Sequence, residues 1–63
     1  MIISRQINKP NVQAMIKALR GAGLTVAKLK NGYECLNDKG VLLFKAMHGN
    51  HDYLVRMQDD LFV

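Results

Sequence analysis

The chain has 63 residues, a formal net charge of +4 and a single cysteine, Cys35. That length predicts one domain, residues 1–63, with a thin core, because chains near this size bury only about 60% of their unfolded surface. One thiol excludes an internal disulfide framework, and one Cys with two His falls short of a structural zinc site. Self-association or a bound partner is then the expected source of extra stability. The lone thiol and the lack of an apolar run long enough for a signal peptide or a membrane span point to a cytoplasmic protein with no membrane contact.

Charge is unevenly placed. Residues 1–30 hold Arg5, Lys9, Lys17, Arg20, Lys28 and Lys30 with no acid, whereas the remainder sets three bases against five acids, of which Glu34 is the first. An acid-free basic half creates a local positive field that draws phosphates or acidic surfaces. The same charges also serve solubility.

In chain order, the β-branched stretch Ile2 to Ile7 predicts a first strand. Asn8-Lys9-Pro10 reads as a helix start, with Asn as cap and Pro in the first turn. Val12, Met15, Ile16 and Leu19 follow at i, i+3, i+4 and i+7, one apolar face. Gly23 suits the left-handed position beyond the helix, with Leu24 closing on Leu19. Strands are predicted over 24–30 and 33–36, joined by Asn31-Gly32, a strong hairpin signal. Asn37-Asp38-Lys39-Gly40 turns into a strand over 41–47, and His48-Gly49-Asn50-His51 supplies a further reversal. Tyr53 to Met57 has strand composition, although Leu54, Met57 and Leu61 also fit a helical face behind Asn50 and Asp52. The strand is the preferred reading. The expected fold class is therefore α+β: one amphipathic helix on a three- to five-stranded antiparallel sheet, in the order β-α-β-β-β with a last strand or short helix.

The turns also predict a register. A two-residue loop at Asn31-Gly32 pairs Leu29 with Glu34 and Ala27 with Leu36, and a three-residue loop over 38–40 pairs Leu36 with Leu42 and Glu34 with Phe44. Ala27, Leu29, Leu36, Leu42, Phe44 and Ala46 then face the helix, with Glu34 a misfit. The outer face receives Val26, Lys28, Lys30, Tyr33, Cys35, Val41, Leu43, Lys45 and Met47. A solvated face is expected to be more uniformly polar, and contiguous exposed apolar surface marks an interface.

Catalytic chemistry is poorly provided for. Ser4 and Thr25 are the only hydroxyl nucleophiles besides tyrosine, and neither has a nucleophile setting. Cys35, predicted mid-strand, reads as a structural or interface thiol. His48, His51 and Asp52 form one cluster, but two imidazoles flanking a turn do not complete a metal site, so ordinary turn polarity is the preferred reading. Gly21-Ala22-Gly23 follows a helix and so is no phosphate loop, and Met15, Met47 and Met57 read as packing. No catalytic residue, metal ligand or cofactor is assigned.

From Val12 to His51 the order of elements resembles the small double-stranded-RNA-binding-like α-β-β-β domains, including the HicA-type mRNA-cleaving toxins. The residues that carry this are Ile16 to Leu24, the Asn37-Asp38-Lys39-Gly40 turn and His48-Gly49-Asn50. The toxins place a catalytic histidine behind a Gly-Ser pair at the start of the second strand. Here that stretch reads Asn31-Gly32-Tyr33-Glu34, so the resemblance implies the fold and not the cleavage.

Two functional expectations follow. The first is a non-enzymatic regulator or inhibitor, comparable in size and composition to phage or mobile-element accessory proteins. It would bind a protein or nucleoprotein partner, or a second copy of itself, through Val26, Lys28, Lys30, Tyr33, Cys35, Leu43 and Lys45. The second is a nucleic-acid-binding module using Arg5, Lys9, Lys17, Arg20, Lys28 and Lys30, with Tyr33 for stacking. Modest net charge favours the first.

Overall fold

The computed structural model describes residues 1–62. Its elements run β1 (Ile2–Asn8), α1 (Lys9–Gly21), β2 (Val26–Leu29), β3 (Gly32–Leu36), β4 (Leu42–His48) and β5 (Asp52–Gln58). The strands form one antiparallel sheet in the order β1-β5-β4-β3-β2, with α1 packed on one face. The fold class is as expected, and the last segment is a strand pairing with both β1 and β4. No helix among the described residues is long and apolar enough to cross a membrane.

Both helix ends follow from local chemistry. The Asn8 side chain accepts a hydrogen bond from the Asn11 N–H at 3.0 Å and Pro10 occupies the first turn. At the other end Gly23 takes φ +88°, the Leu24 N–H donates to Leu19 O at 3.1 Å and the Gly23 N–H to Arg20 O at 3.0 Å, a Schellman ending. Val12, Ile16 and Leu19 are buried beneath the helix. They meet Val26, Cys35, Phe44, Ala46, Tyr53 and Val55 from the sheet.

The sheet register departs from expectation in two places. In the first hairpin Leu29 pairs with Gly32 and Ala27 with Glu34, so Lys30-Asn31 form the turn and Gly32 opens β3. Glycine is required there for close approach and not for turn geometry: its φ is not positive, and a Cβ would overlap the Ala46 carbonyl. The Asn31 carbonyl meanwhile accepts the His48 N–H at 2.7 Å, which ties the turn to β4.

The second departure decides the faces. Leu36 pairs with Leu42 as expected, but a bulge between Cys35 and Leu36 brings Cys35 opposite Phe44 and Glu34 opposite Lys45. One extra residue in β4 exchanges the two sides of its neighbours relative to the expected pattern. Val26 and Cys35 therefore turn inward and are buried, while Ala27 and Leu29 turn away from the helix. Phe44 and Ala46 do face the helix. Glu34 ceases to be a misfit: it lies on the uncovered face with a carboxylate oxygen 3.9 Å from Lys45 Nζ. Burial pushes the Cys35 thiol above its ordinary pKa, and with no exposed surface it cannot cross-link two folded chains.

The path of α1 positions the candidate site. β1 and β2 are the two edge strands, so a helix that leaves the end of β1 and delivers the chain to the start of β2 crosses the sheet diagonally. Two opposite corners of that face are left uncovered by it. One lies at the start of β1 and the end of β5, the other at the β2–β3 turn and the end of β4.

Candidate functional site

The corner at the β2–β3 turn is a groove of about 390 Å³ lined by Lys9, Gln13, Lys28 to Tyr33, His48 and Tyr53. Each wall has a local cause. Lys9 and Gln13 lie one helical turn apart on α1 and face the hairpin. Lys28 and Tyr33 are paired residues of β2 and β3 on the helix side, at the edge where α1 no longer covers them. Lys30 and Asn31 are the turn itself. His48 and Tyr53 are paired across β4 and β5, with Tyr53 buried and His48 exposed.

The aromatic groups form a connected set. The Tyr53 ring lies 6.3 Å from Tyr33, tilted by 41°, and 5.1 Å from His48, edge-on at 72°. Such offset and edge contacts are favourable aromatic arrangements. Gln13 Nε2 donates to the Tyr33 hydroxyl at 3.5 Å, a long and exposed bond. Among the described residues, three lysines and no carboxylate line the groove. The acids lie elsewhere: Glu34 on the opposite sheet face, Asp38 in the β3–β4 turn, Asp52 at the start of β5, and Asp59 and Asp60 after its end. The groove therefore carries an uncompensated positive field with polar amide, hydroxyl and imidazole groups inside it.

Of the residues expected to contact nucleic acid, Lys9, Lys28, Lys30 and Tyr33 come together here. Lys17 and Arg20 continue the same flank of the helix, four and seven residues beyond Gln13. Arg20 is anchored, its guanidinium donating to the Val26 carbonyl at 3.1 Å. Arg5 stands apart on β1, at the other edge of the sheet.

The expected protein-contact set does not form one surface. Val26 and Cys35 are core residues, Lys28 and Tyr33 lie on the helix side, and Lys30 is in a turn. Lys45 stays on the uncovered face beside Glu34, whereas Leu43, the unpaired residue of the β4 bulge, packs half-buried against the core. Gln13, Asn31, His48 and Tyr53 are groove residues that sequence reasoning did not assign to a binding site. His51 is separated from His48 and borders a smaller depression with Gln6 and Gly49. Among the described residues no three His, Cys, Asp or Glu side chains come together as a metal site.

Comparison with family models, with curated proteins and with solved structures found no match.

Proposed function

We propose that this chain is a binding protein, not an enzyme, and that its basic groove engages nucleic acid. The observation that carries the reading is the convergence of Lys9, Lys28 and Lys30 around Tyr33 and His48, with no carboxylate in the lining among the described residues. Lysines at a rim supply phosphate contacts, and aromatic faces between them supply sequence-tolerant stacking. The inversion of the sheet faces shifts the balance toward this reading, since it removes Val26 and Cys35 from the surface and gathers Lys28 and Tyr33 with Lys9.

The test is a titration of a labelled oligonucleotide followed by fluorescence anisotropy at rising salt. Three phosphate contacts on a single strand give a log–log salt slope of roughly −2, which weakens affinity on the order of tenfold to fiftyfold between about 50 and 200 mM salt. Replacing Lys28 and Lys30 together by Ala should lower that slope by about 1.4. Affinity that is flat in salt, or unchanged in the double variant, contradicts the proposal.

One observation supports a second reading, a regulator bound to a protein or to a second copy of itself. The uncovered sheet face presents Leu54 at 47% and Ile2 at 38% exposure, beside half-buried Met47. For the self-association form, sedimentation should show a concentration-dependent dimer that Leu54→Lys dissociates while oligonucleotide binding persists. A monomer at all concentrations removes that form.

A further inference from the structure

Resting on the nucleic-acid reading, we infer that the groove selects single strands by seating one unstacked base against Tyr33 and His48. A duplex presents its bases edge-on inside a stack, so a concave corner between a helix and a hairpin would meet only its phosphates. A single strand can splay a base out onto an aromatic side chain. The groove's volume of about 390 Å³ falls within the range of about 300–1,000 Å³ typical of small-molecule pockets, on the scale of a nucleotide and far below that of a helix.

The interior of the groove matches a base and its rim matches the backbone. Tyr53 is buried and fixed, and it holds the half-buried Tyr33 and the exposed His48 as flanking rings. The amides of Gln13 and Asn31 carry both donors and acceptors without charge, as the polar edge of a base requires. The Gln13 to Tyr33 hydroxyl bond, at 3.5 Å and exposed, is easily exchanged for a bond to that edge. Lys9 stands on the helix side while Lys28 and Lys30 stand on the hairpin side, placed to take the phosphates before and after the seated nucleotide.

The experiment uses the whole chain and three probes: a labelled 12-residue oligothymidylate, an abasic oligomer of the same length and charge, and a duplex of that length. The chain has no tryptophan and only two tyrosines, Tyr33 and Tyr53, so its intrinsic fluorescence reports directly from the groove. Oligothymidylate should bind roughly fivefold to a hundredfold tighter than the abasic strand, in line with the effect of one stacked base. It should also quench tyrosine emission where the abasic strand does not. His48→Ala, at an exposed position, should narrow the preference for the base-bearing strand while leaving the salt slope unchanged. Tyr33→Phe should keep that preference and Tyr33→Ala should abolish it. If Tyr33→Ala does not fold, the wild-type comparison and the His48→Ala result still decide. Equal affinity for the base-bearing and abasic strands overturns the base seat and leaves the nucleic-acid reading standing. Equal or tighter duplex binding overturns single-strand selection. No binding of any probe at low salt overturns the reading beneath both.

Discussion

The diagonal helix leaves two corners of one sheet face, and the chain treats them oppositely. At the start of β1 and the end of β5 the last described turn folds back. The Asp59 N–H donates to the Met1 carbonyl at 2.9 Å, Leu61 packs half-buried on the core, and the Phe62 ring meets Phe44 edge-on at 6.4 Å. At the other corner, among the described residues, no segment crosses Lys28, Tyr33 and His48. The contrast is chemical. Ile3, Met57 and Phe44 gain free energy by leaving water, whereas covering three lysines without partners would cost several kcal/mol per charge. An apolar corner recruits chain to close it, and a basic corner stays open to solvent.

Perturbations should separate the two corners by size of effect. Phe44 is fully buried beneath the closed corner, so Phe44→Ala should cost about 3–5 kcal/mol, a large part of the stability of so small a domain. Thermal unfolding followed by circular dichroism would show little or no folded population, and a melting curve near wild type would break the comparison. Gly32→Ala acts at the floor of the open corner. Its Cβ must displace the Ala46 backbone, for a cost of about 1–3 kcal/mol together with weaker oligonucleotide binding. A variant as stable as wild type would place the β3–β4 contact elsewhere.

Phe62 is 44% exposed, so Phe62→Ala should cost only about 1 kcal/mol and leave oligonucleotide affinity unchanged. Loss of affinity on that change would mean that the corners are coupled. Smallest in stability is Lys28→Ala, expected within about 0.5 kcal/mol of wild type by denaturant midpoint. Its effect belongs to binding, where affinity should fall severalfold at low salt.

Much of this arrangement is legible in the sequence. Asn8, Pro10, the apolar spacing from Val12 to Leu19, and Gly23 with Leu24 define the helix, because each signal is local and has one structural meaning. The turn at Asn37 is equally local: its side chain accepts the Lys39 and Val41 N–H groups, each at 2.9 Å, and Gly40 takes φ +80°. The faces of the sheet are not legible in the same way. Val41-Leu42-Leu43-Phe44 is an unbroken apolar run, so no alternation marks where the bulge adds a residue. Gly32 reads as a turn glycine, yet it serves a backbone contact fourteen residues away in sequence, at Ala46. The groove inherits both ambiguities. Lys28 and Tyr33 look outward until the register is known, and His48 and Tyr53 join them only through pairing across β4 and β5.

On the proposed function, the open basic corner, and not the closed corner or the uncovered sheet face, is the binding surface. Titration of the isotopically labelled chain with oligothymidylate, followed by amide and side-chain NMR shifts, tests it most directly. Saturable shifts are expected at Lys9, Gln13, Lys28, Asn31, Tyr33 and His48, with Leu61, Phe62, Leu54 and Met47 unmoved. Shifts concentrated on Leu54, Met47 and Arg56, or none at low salt, would contradict it.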